Sequence, residues 1–315
     1  GAPVRAVDGV SFDLEDGEIL GVAGESGCGK SSLAMVLALV AQPPLEVVGG
    51  TASLAGRDLD VRQRGETRAV RGSVIALLPQ GAMNSLNPTS RVRDFAFDVI
   101  RAHEGKVNRR EAVHRAAERF EQLSLPPRVL DSYPHQLSGG MRQRVVAVIS
   151  TLLNPSVLIA DEPTSALDVS AQRQLCQLLR QLLERQFIRA VVFITHDLPL
   201  LGTVADRIAI MYAGKLAEAG PAREVLESPM HPYTQALVDT VLAPDLSLRT
   251  RRVEGIPGAP PDLRRPPSGC RFHPRCRYAN DRCLEDPPQV GPPARFATCW
   301  RVYERQEEAV AEVGR

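Results

Sequence analysis

An eight-residue run, GESGCGKS at Gly24–Ser31, constrains the fold of this chain more than any other feature of the sequence. It fits the spacing G-x-x-x-x-G-K-[ST], in which glycines let consecutive backbone N–H groups converge on phosphate oxygens. The apolar run Ile19–Ala23 before it predicts a strand, and the apolar run after it predicts a helix that begins near Ser31. A strand, a glycine loop and a helix in this order predict a phosphate site at the helix N-terminus.

The polar groups of this loop have expected roles. Lys30 would reach the β and γ phosphates of a nucleotide, and the Ser31 hydroxyl would ligate Mg²⁺. A glycine-rich turn without a ligand is the alternative, but such a turn does not require the flanking strand and helix. The residues expected to hold the nucleotide are Gly24, Glu25, Ser26, Gly27, Cys28, Gly29, Lys30, Ser31 and Ser32.

Short apolar runs alternate with helical stretches over the first two thirds of the chain. This alternation predicts an α/β fold with a mostly parallel sheet, whose strands are buried on both faces. Strands are predicted at Ile19–Ala23, Val74–Leu78, Val157–Ala160 and Ala190–Ile194. Helices are predicted at Arg93–Glu104 and Arg109–Leu123, the second with an apolar face of Val113, Ala116, Phe120 and Leu123.

Length and local composition predict three parts. At 315 residues the chain exceeds the usual size of one domain. A helical stretch interrupts the strand pattern, and a run rich in glycine and proline at 255–261 marks a boundary near the C-terminus. We predict a core of residues 1–82 and 151–230, a helical insertion at 83–150, and a C-terminal extension at 231–315.

Charge and hydropathy restrict the expected partners. The formal net charge of +1 provides no general attraction for phosphate polymers, so nucleic acid is not an expected partner. The apolar runs are shorter than the roughly 20 residues that cross a bilayer, and no signal peptide is recognisable at the start. We expect a cytosolic protein whose contact with a membrane runs through other proteins.

A second apolar run, SVLIADEP at 156–163, ends in two acids. Asp161, at the end of the predicted strand, can hold the metal directly or through water. Glu162, the next residue, can orient and polarise a water for attack on the γ-phosphate, which makes it the expected general base. Two acids on a solvated strand end are the alternative interpretation.

Further short motifs occur in a specific order. LSGGMRQR at 137–144 lies between the glycine loop and Asp161, and Gln80, SALD at 165–168 and His196 in ITHD accompany it. Ser-Gly-Gly alone is a weak signal, but the ordered set strongly resembles the nucleotide-binding subunits of ABC transporters. The resemblance implies a P-loop NTPase (RecA-like) core with an antiparallel β part, a helical subdomain insertion and a small Cys-rich C-terminal extension.

The same resemblance implies a role for each motif. In that family two ATPase subunits meet head to tail, so the SGG residues of one subunit would cap the γ-phosphate held by the glycine loop of the other. Gln80 would contact Mg²⁺ and the attacking water. His196 would stabilise the γ-phosphate, with a structural histidine at a strand end as the alternative. The residues that the resemblance places at the dimer interface are Ser138, Gly139, Gly140 and Asp168.

The C-terminal part resembles one branch of that family. SPMHPYTQAL at 228–237, GIPGAPPDL at 255–263 and the cysteine-rich stretch after them resemble the extension of oligopeptide, dipeptide and nickel importer ATPases. The resemblance implies an ATP-hydrolysing, Mg²⁺-dependent subunit at the cytoplasmic side of the inner membrane. It would drive uptake of peptides, with nickel as the less favoured solute. The implied partners are a second ABC ATPase subunit in a heterodimer, two transmembrane permease subunits and an extracytoplasmic substrate-binding protein.

Two other functions fit fewer of these features. A soluble ABC ATPase that acts on nucleic acid or ribosomes usually has two cassettes in one chain or a long coiled-coil insertion. This chain has one cassette, a short helical insertion and no basic stripe. A metal-sensing module with a degenerate ATPase is disfavoured because Glu162 and His196 are both present.

Four of the six cysteines lie close together near the C-terminus, in the pattern C-x5-C-x6-C-x15-C. Disulfides conflict with a reducing cytosol. Structural zinc is possible, but zinc sites usually contain a C-x-x-C pair, which is missing here. His273 could compete as a fourth ligand, but with four cysteines available it is expected to be a surface residue. Unligated thiols are a further alternative. Because importers of this branch carry a [4Fe-4S] cluster, the resemblance favours such a cluster, with Zn²⁺ as the alternative. The expected ligands are Cys270, Cys276, Cys283 and Cys299.

Overall fold

The structure, a computed structural model, describes residues 3–54, 56–59, 61–62, 70–240 and 255–313. Residues 63–69 of the predicted core and 241–254 of the predicted extension lie outside the described residues. The chain divides into two compact units. The first unit comprises Gly1–Asp13, Leu20–Leu33 and Thr195–Arg315, and the second comprises Leu14–Ile19 and Ala34–Ile194. The three-part division into domains stays a prediction.

Every predicted strand and helix forms, and no predicted end differs from the observed one by more than one residue. The strands of the described ranges are β1 (Ile19–Ala23), β2 (Ala52–Leu54), β3 (Arg57–Leu59), β4 (Ile75–Leu78), β5 (Val157–Asp161), β6 (Ala190–Ile194), β7 (Arg207–Tyr212), β8 (Lys215–Pro221), β9 (Gln289–Val290) and β10 (Phe296–Thr298). The α-helices there are α1 (Lys30–Leu37), α2 (Val92–Glu104), α3 (Arg109–Gln122), α4 (Gly139–Ser150), α5 (Val169–Glu184), α6 (Leu198–Val204), α7 (Ala222–Glu227), α8 (Pro232–Thr240) and α9 (Trp300–Val313). None of these helices is long and apolar enough to span a bilayer.

Three parallel strands form the main sheet of the second unit. β5 pairs with β4 on one side and with β6 on the other, so that Val157 lies opposite both Ile75 and Ala190. Strands of a parallel sheet are covered on both faces, which explains why these runs are apolar almost throughout. Because the strands are parallel, the segments that follow β4 and β5 leave the sheet at the same edge.

Helix α5 illustrates how the second unit builds its core. Its leucines recur at positions i, i+3, i+4, i+7 and i+8, which lie on one face of an α-helix. All of them are buried: Leu175, Leu178, Leu179, Leu182 and Leu183.

The first unit mixes parallel and antiparallel pairing. β1 pairs in parallel with β7, and β7 then turns back into antiparallel β8 through Ala213 and Gly214. These two residues have φ angles of 47° and 84°, as a type I′ hairpin turn requires at both central positions. β10 pairs antiparallel with both β8 and β9, which confirms the predicted antiparallel β part.

An aromatic cluster joins α8 and the cysteine-rich segment to the strands of the first unit. Tyr212 of β7, Tyr233 of α8 and Phe272 of the cysteine-rich segment are all buried. Their ring centroids lie 4.5 Å apart for Tyr212 and Tyr233, and 5.3 Å apart for Tyr233 and Phe272. Helix α8 and the cysteine-rich segment therefore contribute to the core of the first unit.

Candidate functional site

The glycine loop of the first unit connects β1 to α1 and folds around the amine of Lys30. The Lys30 Nζ donates hydrogen bonds to the carbonyl oxygens of Gly24 at 2.7 Å and Glu25 at 3.0 Å. Helix α1 begins at Lys30 itself. The ammonium group and the N-terminus of a helix therefore lie together, and both attract phosphate.

Two glycines of the loop occupy places where no side chain fits. Gly24 has a φ of 152°, and a Cβ added there would lie 2.1 Å from the carbonyl oxygen of Met211. Gly29 has a φ of 107°, and a Cβ there would lie 1.9 Å from the carbonyl oxygen of Ala6. The shape of the loop thus depends on glycine at both positions.

The remaining loop residues divide into an exposed and a buried part. Ser26 and Gly27 are exposed, whereas Ser31 and Ser32 are half-buried at the start of α1. Cys28 is buried, with its Sγ 3.8 Å from the Lys30 Nζ. Burial raises the pKa of the Cys28 thiol, and the nearby lysine opposes this rise. Cys28 is therefore a packing residue under the loop, and the exposed residues lie where a ligand can approach.

His196 is exposed in the first unit, directly before α6. The backbone on its C-terminal side is fixed, because the Asp197 carboxylate caps α6 by accepting a hydrogen bond from the Leu200 N–H at 3.0 Å. The Asp197 N–H donates in turn to the Thr195 hydroxyl at 3.1 Å. The two contacts flank His196 and set the direction of the chain on either side of it.

The two predicted acids lie at the carboxyl end of β5 in the second unit. Asp161 is the last residue of the strand and is buried. Glu162 has a φ of 47°, which is uncommon for a residue other than glycine and costs of order 1–3 kcal/mol. Its N–H donates to the carbonyl oxygen of Ile194 in β6 at 2.9 Å. The chain therefore turns sharply at the predicted general base, and pairing with β6 holds this turn.

Gln80 follows β4 and is exposed. Leu78 of β4 lies opposite Ala160 of β5 in parallel register. Gln80, which follows β4, and Asp161, the last residue of β5, consequently lie at one edge of the second unit's sheet. The structure thus groups three predicted site residues of this unit at that edge.

The SGG motif forms the N-terminus of α4. Ser138 is the exposed N-cap, and its Oγ accepts a hydrogen bond from the Met141 N–H at 3.2 Å. Its hydroxyl hydrogen remains available as a donor. A Cβ added to Gly140 would lie 2.7 Å from the Cβ of Ala171, so glycine there lets α4 approach α5; Gly139 has more room. The motif presents a hydroxyl at a helix N-terminus, as the predicted anion cap requires.

Asp168 has a structural role within the chain. It is the exposed N-cap of α5, and its Oδ1 accepts a hydrogen bond from the Ala171 N–H at 2.8 Å. This capping satisfies a backbone donor that has no partner inside the helix. Its place at a dimer interface stays a prediction.

The four predicted cysteine ligands line one pocket of the first unit, together with His231 and His273. Burial raises the pKa of the Cys270 thiol to about 12, and it also raises the pKa of the Cys276 and Cys299 thiols. The structure therefore brings together four side chains that are spread over thirty residues of sequence, with Cys283 as the fourth.

The chemistry of this pocket is that of sulfur donors. All six cysteines are free thiols, so the disulfide alternative has no support in the structure. Within the described ranges, no group of three or more His, Cys, Asp or Glu side chains is arranged to hold a metal ion as it stands. Four thiolates suit soft metals, including zinc and iron–sulfur clusters.

Sequence reasoning missed the contacts of the glycine loop with α8 and the cysteine-rich segment. The Arg275 guanidinium donates two hydrogen bonds to the Glu25 carboxylate, at 2.6 and 3.0 Å. The Tyr233 hydroxyl accepts a hydrogen bond from the Glu25 N–H at 2.8 Å. The partners are more than 200 residues apart in sequence, so no local pattern predicts the pairing. The available signals were weaker: Tyr233 lies in the HPYTQAL motif, and Arg275 directly precedes Cys276.

Comparison with known proteins agrees with this geometry. The family described as "ABC transporter" matches residues 7–165. A second family, described as "Oligopeptide/dipeptide transporter, C-terminal region", matches residues 217–283.

Individual relatives cover most of the chain. It is 40% identical over 287 residues to the dipeptide transport ATP-binding protein DppD of Caldanaerobacter subterraneus subsp. tengcongensis, covering 91% of this chain and 87% of that protein. It is 39% identical over 305 residues to the oligopeptide transport ATP-binding protein OppD of Salmonella typhimurium, covering 96% and 89%. A dimeric post-hydrolysis structure of the ATP-binding cassette MJ0796, bound to ADP and Pi, aligns with a TM-score of 0.59 and 26% identity over 69% of this chain and 91% of that chain. The chain therefore belongs to the ABC transporter family and is an ABC-type transport ATPase of the oligopeptide and dipeptide importer branch.

Proposed function

We propose that this ATPase drives the uptake of peptides and lies peripherally on the cytoplasmic side of the cell membrane. The observation that carries the proposal is the loop that folds around Lys30 at the N-terminus of α1, with glycine required at Gly24 and Gly29. The peptide substrate is supported by the names of the relatives, which are dipeptide and oligopeptide transport proteins. Nickel is the alternative solute.

The proposed reaction is hydrolysis of ATP. Lys30 and the loop N–H groups bind the β and γ phosphates. Ser31, Gln80 and Asp161 would hold Mg²⁺, which when bound would neutralise charge on the phosphate oxygens. Water attacks the γ-phosphorus and passes its proton to Glu162, while the bond to the β–γ bridging oxygen breaks and ADP leaves. His196 donates a hydrogen bond to the γ-phosphate oxygens. Residues at strand ends and helix starts suit this task because they are held by rigid elements.

The proposed assembly contains a second ATPase subunit. Ser138, Gly139 and Gly140 cap the γ-phosphate bound by the other subunit, and Asp168 lies across that interface. The exposed position of Ser138 at the N-terminus of α4 supports this role. We favour a heterodimer of two related ATPases, joined to two permease subunits and served by an extracytoplasmic substrate-binding protein. Nucleic acid is not a partner in this proposal.

The transport assignment is tested by reconstitution. The chain is co-expressed with the neighbouring permease and binding-protein genes, and phosphate release by the purified complex is measured in lipid vesicles. Addition of binding protein loaded with di- or oligopeptides is expected to stimulate hydrolysis above the basal rate. Stimulation by Ni²⁺ alone, or by RNA or ribosomes in the absence of the permease, would replace peptide import with one of the alternative functions.

The cysteine pocket is proposed to hold a [4Fe-4S] cluster, with Zn²⁺ as the alternative. Four thiols that line one pocket support either group, because both take four sulfur ligands. The bound group would supply metal–sulfur bonds that tie a loop-rich segment together, as metals do in small domains without a large core. Cys270, Cys276, Cys283 and Cys299 would be the ligands, and we assign the group no part in hydrolysis.

This second assignment is tested by metal analysis after anaerobic purification. A brown protein that contains iron and acid-labile sulfide is expected, and Cys276→Ser should lose both. Cys176→Ser is the matched control, because Cys176 lies in α5 of the second unit and outside the pocket. A colourless protein with one zinc per chain would replace the cluster with the alternative metal.

A further inference from the structure

One ion pair joins the glycine loop to the cysteine-rich segment. Both partners lie in the first unit. The side chain of Arg275 is only 6% exposed and that of Glu25 22%. The two hydrogen bonds, at 2.6 and 3.0 Å, form the bidentate arrangement that makes arginine–carboxylate pairs both strong and directional. This pair is therefore able to fix the position of the Glu25 side chain.

The guanidinium of Arg275 is itself held from several sides. Its Nε donates to the carbonyl oxygen of Pro257 at 2.7 Å, and its Nη2 lies 3.3 Å from that of Gly258. Its Nη1 also lies 3.2 Å from the hydroxyl of Tyr212. Arg275 thus acts as a fixed anchor toward Glu25.

A second contact fixes the backbone of the same residue. The Glu25 N–H donates to the hydroxyl of Tyr233, which is fully buried. The ring of Tyr233 packs against Phe272, three residues before Arg275. The extension therefore holds both the side chain and the backbone of Glu25.

Glu25 lies inside the part of the loop that the proposed function assigns to phosphate binding. Its carbonyl oxygen accepts hydrogen bonds from the Lys30 Nζ and from the Cys28 N–H, and the N–H groups of Ser26 and Gly27 follow it directly. Displacement of Glu25 would move these donors and the lysine together. We infer that Arg275 is a positioning residue for nucleotide binding, which holds the glycine loop in its phosphate-binding shape through Glu25. This inference rests on the proposed function of the loop as the ATP site.

The first experiment measures nucleotide affinity in the purified full chain. A fluorescent ATP analogue with Mg²⁺ is titrated into wild type, Arg275→Lys and Arg275→Gln. The glutamine variant is expected to raise the Kd at least about fivefold, the low end of typical coupling between sites. The Kd of the lysine variant should lie between those of wild type and the glutamine variant, because lysine keeps the charge but lacks the planar guanidinium. Equal affinity of all three proteins would overturn the inference.

The matched control is Arg295→Gln. Arg295 forms a comparably buried pair with Glu218 in the same unit, with Nη1 and Oε1 2.5 Å apart, and it makes none of the described contacts with the glycine loop. Both variants lose a buried ion pair, so both should lower the thermal unfolding midpoint. Only Arg275→Gln is expected to change the Kd. An equal loss of affinity in both variants would show that general destabilisation of the unit is the cause, against the inference.

A double-mutant cycle tests whether Arg275 acts through Glu25. If it does, Arg275→Gln combined with Glu25→Gln should bind no more weakly than the weaker single variant. In the assembled transporter, KM for ATP should rise while kcat at saturating ATP is maintained. Full additivity in the cycle, or a loss of kcat at constant KM, would contradict the positioning role. Wild type that fails to bind the ATP analogue would instead reject the proposed function itself.

Discussion

At the scale of single residues, the turn at Glu162 is the feature most closely tied to chemistry. Its φ of 47° is a conformation that side chains other than glycine seldom adopt, and pairing of its N–H with Ile194 holds it there. Strain of this kind persists where the surrounding structure fixes the backbone, and it is concentrated at functional sites. The turn gives Glu162 a different surrounding from Asp161, although the two acids are consecutive.

The proposed role of Glu162 as general base predicts the effect of Glu162→Gln. The substitution keeps the size of the side chain but removes the proton acceptor, so turnover should fall by about 10² to 10⁴, the usual contribution of a general base. ATP-dependent association with the second ATPase should be retained, because the amide leaves the phosphate contacts in place. Phosphate release and sedimentation with ATP measure the two properties. Glu121→Gln, on an exposed position of α3, is the control, and undiminished turnover in Glu162→Gln would remove Glu162 from the mechanism.

Tyr233 allows a test of the loop that is independent of any charge. Tyr233→Phe keeps the buried ring but removes the acceptor of the Glu25 N–H, and an unpaired donor of this kind costs about 1–3 kcal/mol. We expect a lower thermal unfolding midpoint and faster hydrogen exchange at the Glu25 amide. Tyr303→Phe, on α9, is the control and should leave that amide unchanged. Unaltered exchange in Tyr233→Phe would mean that the hydroxyl does not hold the loop.

Sequence patterns predicted single residues well where the chemistry is local. Lys30 and Asp161 were found because the loop spacing and the apolar strand lie next to them in sequence. Arg275 was missed because its partner, Glu25, lies 250 residues away, and such a pairing is set by tertiary packing alone. The capping role of Asp168 was also missed, since the family resemblance drew attention to a partner subunit rather than to α5.

At the scale of elements, α3 shows how a charged residue can be part of a helix core. Arg119 is buried on this helix, where its Nη1 donates to the carbonyl oxygen of Thr151 at 2.9 Å and its Nη2 to the Asn154 side chain at 2.7 Å. Its guanidinium lies over the ring of Phe187, 3.6 Å from the centroid. Burial lowers the pKa of Arg119 to about 10, which leaves it charged at neutral pH. One side chain therefore ties α3 to segments after α4 and α5.

Loss of this tie should destabilise the second unit. Arg119→Met keeps the apolar packing but removes two hydrogen bonds from a charged donor, each worth about 1.5–3 kcal/mol, so a loss of several kcal/mol in the free energy of unfolding is expected. Arg119→Lys should not recover the lost stability, because one ammonium group cannot reach both acceptors as the planar guanidinium does. Urea unfolding is the measurement. Arg110→Met, exposed on the same helix, is the control, and equal urea midpoints for the two methionine variants would refute the role of Arg119.

The same helix shows the limit of periodicity as a guide. The sequence placed Val113 on the apolar face, whereas Ala112 is buried and Val113 is only half-buried. The prediction treated arginine as polar, and the buried Arg119 rotates the true contact face by about one residue. The buried residues of the strands were predicted more accurately. A strand of a parallel sheet is covered on both faces, so every residue of an uninterrupted apolar run is expected to be buried.

At the scale of the whole molecule, the proposed assembly depends on what Ser138 contacts outside its own chain. Among the described residues, the Ser138 hydroxyl caps α4, and asparagine and aspartate cap a helix about as well as serine. The two substitutions therefore preserve the helix and differ in one respect, which is the negative charge of aspartate. If Ser138 faces the γ-phosphate of the partner's ATP, the charged variant should lose far more association than the neutral one.

We expect Ser138→Asp to lose ATP-dependent association by far more than tenfold, because like charges 4 Å apart repel by about 4 kcal/mol at an effective dielectric constant of 20. Ser138→Asn should lose much less association, because its side-chain amide is neutral and can still donate a hydrogen bond. Both are measured by sedimentation velocity in the Glu162→Gln background, with and without ATP, alone and mixed with the second ATPase subunit. Comparison of the protein alone with the mixture distinguishes a homodimer from the heterodimer that we favour. Equal association of the aspartate and asparagine variants would place Ser138 away from the terminal phosphate, and the nucleotide could not then be shared between two subunits in the way that we propose.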